Sequence, residues 1–433
     1  MDNSSQAHSP AASSVSPTFT SKRFLPYFCT QFLGAFNDNI YKNTLLLFVA
    51  FASVEQLPMS STLFINLAAG LFILPFFLFS ATAGVITDQF EKSKLIKIIK
   101  FAEIIIMALG AISFMTQNYL ALLILLFLMG AQSAFFGPVK YALLPQHLKP
   151  EELLKGNAWV ETGTFLAILF GTIGAGFIVS APSAYLLTAV CVVLFAVLGF
   201  TTSLFIPKAE CTIKNAKFTW KPIEHNKQTL RLIKQNKTSF HTIMAISWFW
   251  FLGASYLTQF PNFTKDVLHG NATIVSLLLT LFSIGIAIGS LCYAKIAHQK
   301  INFGIMLCGG IGISVCSLVV GFVTPESSTQ MLSLSSMLAS PIHLLNFIAL
   351  LGLGVCGGLF IVPLYTLMQT SASDENRAQT IAANNIYNAL FMVGSAVMGI
   401  ICLSVLALSI PHFFALLGIL NIFVMGYLRQ KLN

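Results

Sequence analysis

Asp38 and Lys42 stand one helical turn apart in a stretch that is otherwise apolar, with Gln31 ahead of them and Asn37, Asn39 and Asn43 alongside. A carboxylate accepts hydrogen bonds from an ammonium group and a lysine donates to a phosphate, so the pair can meet both charges of a zwitterionic head group. On a helix, residues 31, 38 and 42 fall within about 20° of one line. Gln31, Asp38 and Lys42 therefore form one polar stripe. Two other readings fit the same residues: a buried i,i+4 pair that only neutralises itself, and a proton carried by Asp38. Lys140 and Glu161 offer a second base and acid. Glu103 stands about one turn from Lys100 and is expected to close a local salt bridge near a membrane surface.

The elements that must hold these residues follow from composition. Of 433 residues, 56% are hydrophobic and 9% charged, with mean hydropathy +0.80, against about 25% charged in a soluble domain. This predicts a polytopic membrane protein. Apolar spans of about 20 residues or more read at residues 24–50, 62–87, 95–115, 119–142, 158–180, 183–206, 240–262, 272–294, 303–323, 341–368, 378–404 and 406–428. Runs such as Leu120 to Met129 do not alternate, which excludes barrel strands and leaves an all-α protein of twelve transmembrane helices. A charge near a bilayer centre costs at least about 2.5 kcal/mol, so Asp38 and Lys42 must face protein or a water-filled path. Residues 1–21, rich in Ser, Ala and Pro, read as a disordered cytoplasmic tail. All of the 24 Lys and Arg except Lys42 and Lys265 fall on the side of the bilayer that holds the N-terminus, and the positive-inside rule then places both termini in the cytoplasm. The net charge of +9 is accounted for by topology and attraction to anionic lipid, and no nucleic-acid partner is expected.

Residues 207–239 are the one long internal polar segment, and they carry basic residues from Lys208 to Lys237. Six spans precede this linker and six follow, giving two six-helix bundles at 22–206 and 240–433. This resembles the parallel-repeat plan of major facilitator transporters, which rock two bundles about a midplane site. Gly84, Asp88 and Lys92 resemble that superfamily's Gly-x-x-x-Asp signature followed by bases. Gly allows close approach and an acid at a helix end can hold a neighbouring helix N-terminus, so the three form a candidate conformational latch. The matching place in the second half keeps Gly289 and Lys295 but lacks the acid. Small residues at four-residue intervals, Gly163, Ala167, Gly171 and Ala175 and again Gly285 and Gly289, predict close helix contacts, either sliding between the halves or static. Spans seven to twelve hold no Asp, Glu, Lys or Arg between their ends, whereas span seven carries Trp248, Trp250 and Tyr256. A cavity between such halves is charged on one wall and aromatic on the other, which suits an amphipathic substrate.

Other chemistries are weak here. The eight cysteines form no ligand-spaced set, so no metal site is expected. Gly352, Gly354 and Gly357 match G-x-G-x-x-G inside a membrane span with no preceding strand, so neither a nucleotide nor another cofactor is expected. Asn384, Asn385 and Asn388 read as interhelical glue.

The stretch from Gln31 to Lys42, then Phe135-Phe136-Gly137-Pro138-Val139-Lys140-Tyr141, and Gly156-Asn157 with Glu161 resemble bacterial lysophospholipid transporters of the major facilitator superfamily. Gly357 to Tyr365 and Ala382 to Phe391 look most like the transporter half of transporter–acyltransferase fusion proteins. The resemblance implies a flippase, not an enzyme, that moves lysophosphatidylethanolamine toward the cytoplasmic leaflet of the inner membrane for re-acylation. It carries site roles to Asp38 and Lys140, and more weakly to Asn39, Lys42 and Glu161. The sequence shows no His-x-x-x-x-Asp motif beyond the last span, so a separate acyltransferase is the expected partner. A twelve-span chain encloses its own path and is expected to work as a monomer. The rival expectation is a proton-coupled exporter of amphipathic drugs.

Overall fold

The computed structural model describes residues 18–51, 57–209, 219–297, 300–325 and 331–432. The first half is α1 (Leu25–Phe51), α2 (Ser61–Gln89), α3 (Lys92–Met115), α4 (Tyr119–His147), α5 (Pro150–Val179) and α6 (Ala184–Leu204). A linker helix α7 (Pro222–Gln235) leads to the second half: α8 (Lys237–Asp266), α9 (Ala272–Ile296), α10 (Phe303–Phe322), the short α11 (Leu334–Ala339), α12 (Pro341–Ser371), α13 (Arg377–Gly399) and α14 (Ile410–Leu432). Among the described residues, nine helices are long and apolar enough to cross a membrane. The more polar α1, α3 and α8 complete the twelve.

Helix starts follow local chemistry. Asn118, Asn236, Asn271 and Asn302 each accept a backbone N–H from the turn that follows them, satisfying donors that a helix start leaves unpaired. Glu91 does the same for Ser93 and Lys94 and also accepts from Ala209 N–H at 2.8 Å. Burial alone would raise its carboxyl, but the Ala209, Ser93 and Lys94 donors outweigh that and hold it below the usual carboxylate range. The helices run further than their apolar cores suggest. In particular, α4 passes through Pro138 and Pro145 without ending. Proline's fixed φ suits a helix, and neighbouring helices and local adjustments satisfy the backbone group it frees.

Each half repeats one packing scheme. In the first, α1 packs on α5, α2 on α4 and α3 on α6; in the second, α8 packs on α13, α9 on α12 and α10 on α14. The halves meet through α5 with α9 and α2 with α13. The spaced small residues serve contacts within each half, not a sliding surface. A Cβ on Gly163 would meet Phe28 and Gln31 of α1, and one on Gly171 would meet Asn39 and the Phe36 carbonyl. Gly285 and Gly289 of α9 lie against backbone of α12, Gly289 directly on the Val355 carbonyl. Backbone cannot swing aside as a flexible side chain can. Gly289→Leu is therefore expected to destabilise the second half by about 1–3 kcal/mol or more. Thermal unfolding in detergent checks this, with Gly426→Leu, which faces open space, as the tolerated control.

Two sequence expectations change in detail. Residues 1–17 of the supposed tail lie outside the described residues, but Thr18–Thr20 form a 3-10 turn that sets Phe19 against Trp159 and Phe28, with ring centroids 4.4 and 5.0 Å away. Burying an aromatic ring orders this end of the tail. The linker is not an open loop either. Residues 210–218, with Cys211, Lys214 and Lys217, lie outside the described residues, whereas α7 is a regular helix docked on α2, α8 and α13.

Candidate functional site

Both termini, the linker and the α2–α3 and α4–α5 turns share one end of the bundle, called here the terminus end. The stripe on α1 faces inward, with Asp38 and Lys42 half-buried and Gln31 buried. Asp38 and Lys42 do not pair. Asp38 Oδ2 accepts from Ser133 Oγ of α4 at 2.8 Å, while Lys42 Nζ lies over the Phe72 ring, 5.5 Å from its centroid. The second carboxylate oxygen, Asp38 Oδ1, is buried without a protein partner among the described residues. An orphaned buried acceptor is costly unless something supplies a donor.

Lys140 joins Gln31 through α5. Its Nζ lies 3.4 Å from Thr164 Oγ1, within range to donate, and 4.8 Å from the centroid of Tyr141; Thr164 Oγ1 lies 3.2 Å from Gln31 Oε1. Glu161 makes no hydrogen bond to this group. It is fully buried and accepts from the Tyr141 hydroxyl at 2.7 Å. Asn39 also turns away. Its amide donates to the Ala35 carbonyl of its own helix at 2.8 Å, and it is packed against Gly171. The asparagines around the stripe are ties for α1. Asn37 donates to the Val192 carbonyl at 3.1 Å and Asn43 to Thr172 at 2.9 Å. Their amide N–H groups are paired within the bundle.

The Glu103 salt bridge exists but is not at the surface. Lys100 and Glu103 meet at 2.6 Å with both side chains 1% exposed. Gln132 and Asn37 donate to the same carboxylate at 3.1 and 3.3 Å. Gly34 on α1 makes the room, since a Cβ there would strike Lys100 Nζ. Lys100 and Lys92, counted as surface charges in the sequence, are both buried.

The wall opposite is aromatic and amide. Trp250 Nε1 donates to the Tyr365 hydroxyl at 3.1 Å, and Phe165 of α5 stacks on Trp250 at 6.0 Å. Gly253 of α8 is buried, yet a Cβ on it would meet nothing within 4 Å. It borders open interior space. Trp248 donates to Asn421, whose amide donates to the Gly310 carbonyl and Ser314. This tie is illegible in the sequence, where Asn421 is a lone amide in an apolar run. Asn388 accepts from Ser247 at 2.8 Å, glue within the second half, whereas Asn385 leans on Gly137 across the halves.

Beyond the mid-helix stacking of Phe165 on Trp250, a cluster of close contacts between the halves falls toward the terminus end. Tyr141 stacks on Tyr365 at 4.7 Å and 6°. Asn157 and Gln369 exchange amide hydrogen bonds of 2.7 and 3.1 Å. A Cβ on Gly84 would strike Ala382 and the Ala378 carbonyl. Asp88 accepts from the Ala378 and Gln379 N–H groups at 3.1 and 3.3 Å, a carboxylate on the positive end of α13. Lys92 is buried at the start of α3. At the other end, Gly70, Gly176, Gly394 and Gly399 face open space. The halves are shut against each other at the terminus end. Asp88→Ala is expected to favour opening of the shut end by about tenfold, the loss of two charge-assisted bonds at a helix start. Spin labels at the exposed Phe90 and Glu375 would report it as a longer distance population.

Two six-helix bundles with one repeated packing scheme, a polar group between them and contacts that close one end have the plan of a membrane transporter of the alternating-access class. The profile of the Major Facilitator Superfamily matches residues 27–396, and the chain belongs to that superfamily. It is similar to the lysophospholipid transporter LplT of Klebsiella pneumoniae subsp. pneumoniae, 26% identical over 377 residues that cover 86% of this chain and 85% of the relative. The LplT of Yersinia pestis is 25% identical over 390 residues, covering 86% of each. Among solved structures, the human organic anion transporter MFSD10 superposes with a TM-score of 0.69 at 14% identity, covering 93% of this chain and 99% of that one. The transporter FucP in its outward conformation gives 0.68 at 12% identity, covering 95% and 99%. These structural likenesses speak to the fold.

Proposed function

We propose that this chain flips lysophospholipids, lysophosphatidylethanolamine foremost, from the outer to the cytoplasmic leaflet of a bacterial inner membrane, where a separate acyltransferase restores the second chain. The observation that carries this reading is the arrangement of Asp38, Lys42 and Lys140. They lie on one side of the interior between the halves, which is shut at the terminus end, facing a half that presents aromatic rings and amides there. The excess of Lys and Arg at the terminus end supports a cytoplasmic position for that end. The far end then receives lipid from the outer leaflet. Phosphate meets Lys42 or Lys140 and the ammonium meets Asp38, through charge-assisted hydrogen bonds. The single acyl chain lies toward the second half or out between α2 and α13, where Leu63, Leu67 and Val397 are exposed. Release requires the Tyr141–Tyr365 and Asp88–α13 contacts to part. The relatives named as lysophospholipid transporters support the substrate class.

The purified chain alone in liposomes is expected to translocate fluorescent lysophosphatidylethanolamine, measured with and without proton and sodium gradients to identify any coupling ion. No translocation without an added acyltransferase would replace this reading with that of a scaffold that presents lipid.

A further inference from the structure

The linker helix α7 is placed where a simple tether has no reason to be. It ends immediately before α8, and Asn236 donates to the Ser371 carbonyl at the terminus end of α12, so its C-terminal end belongs to the second half. Its other end climbs the first half. Asn226 donates to the Phe77 carbonyl of α2 at 2.9 Å, His225 Nδ1 lies 3.2 Å from Thr82 Oγ1, and Trp220 packs 6.3 Å from Phe79. Thr82 is seven residues short of the end of α2, or about 10 Å at 1.5 Å per residue. The helix therefore lies along the membrane-facing seam between α2 and α13, below the level of the loop ends.

The two faces of α7 differ. His225, Thr229 and Ile233 recur every four residues and are buried. Lys227, Arg231 and Lys234 lie on the opposite side, together with Ile223, and all four are exposed. The only acid, Glu224, is paired with Lys221 at 3.0 Å, which leaves the cationic stripe uncompensated within the helix. At its start, Lys221, Ile223 and Lys227 border a shallow cleft of about 350 Å³. An amphipathic helix with a basic face and exposed apolar residues beside it matches the interface of an anionic leaflet.

We propose that α7 is a strap read by anionic phospholipid: phosphate head groups of the leaflet at the terminus end bind its Lys227–Arg231–Lys234 face, and by seating α7 in the seam they hold the two halves shut. Opening that end must separate Gly84 of α2 from Ala382 of α13. Because α7 is bonded to α2 and continuous with α8, it must release one side for that to happen. Head groups bound to its exposed face press the other face onto α2 and oppose the release. The proposal concerns bilayer lipid and does not depend on which substrate is carried.

Hydrogen exchange of the full-length protein in nanodiscs tests it, comparing phosphatidylethanolamine containing phosphatidylglycerol with the same bilayer containing phosphatidylcholine instead. Phosphatidylglycerol is expected to slow exchange both in residues 222–235 and in residues 377–383, where Asp88 caps α13. Each basic side chain removed is expected to weaken this response by about fivefold. The triple variant Lys227→Gln/Arg231→Gln/Lys234→Gln should lose it, Lys227→Arg/Lys234→Arg should keep it, and unchanged exchange in the other helices confirms folding. Equal exchange in the two bilayers, an undiminished response in the triple variant, or protection of α7 without residues 377–383 would each overturn the proposal.

Discussion

Replacing Glu103 by alanine is expected to cost about 3–5 kcal/mol of stability, because it leaves the Lys100 ammonium buried and unpaired. Lys100 and Glu103 are each 1% exposed and 2.6 Å apart, so neither water nor a rotamer change can rescue the survivor. The loss extends further, since the Gln132 and Asn37 amides also donate to this carboxylate. Lys100→Met has the mirror-image effect and leaves a buried carboxylate with two amide donors in place of an ion pair, so it should cost somewhat less. Removing both charges in Lys100→Met/Glu103→Met replaces the pair with apolar volume and should be more stable than Glu103→Ala alone. Unfolding in detergent, by heat and by denaturant, orders the three variants. A Glu103→Ala protein as stable as the native chain would show that water reaches the pair. The folded double variant should also keep most of its lipid transport, because this group ties α1, α3 and α4 together behind the stripe.

The architecture was legible because hydrophobic length is a strong signal in a membrane protein. Twelve spans, an even division and a basic linker required only counting of apolar runs and charges. Reading direction from charge was harder for α3. Lys100 counts as a surface base because a lysine near a helix end ordinarily snorkels to water; here a glycine on α1 and a carboxylate one turn away hold it inside. The stripe on α1 was found by helical geometry, but the ties of its neighbours were not. Asn37, Asn39 and Asn43 are polar in sequence for the same reason as Asp38, and only their partners on other helices separate ties from candidates. Glu161 was read as part of the polar site, whereas its hydrogen bond to Tyr141 places it at the shut gate. That gate depends on pairs such as Asn157 with Gln369, separated by 212 positions, and no local spacing reports such a distance. The small-residue stripes were visible, but whether they face their own half or the other is a property of assembly. The amphipathic period of α7 was present in residues 222–235, hidden because its basic composition reads as topology before it reads as a helix face.

Asp38→Asn is expected to lower lysophosphatidylethanolamine flipping by about 10- to 100-fold, the loss of one charge-assisted hydrogen bond of about 1.5–3 kcal/mol. The substitution is nearly isosteric, and an amide oxygen can still accept from Ser133 Oγ, which Asp38 Oδ2 does at 2.8 Å. Folding should therefore change little, and the loss falls on the buried Oδ1, which has no protein donor among the described residues. If that oxygen receives the ethanolamine ammonium, the effect must depend on the head group. Lysophosphatidylglycerol has no ammonium, so Asp38→Asn should affect it less, whereas Lys140→Ala should reduce both substrates by removing a phosphate partner. Ser133→Ala should give a smaller loss, since Ser133 only positions the carboxylate. Uptake of the two labelled lipids into liposomes by the three variants distinguishes a head-group site from a proton-carrying acid, because a proton carrier would lose both substrates equally on Asp38→Asn. Transport unchanged in both Asp38→Asn and Lys140→Ala would remove this wall from the substrate path altogether.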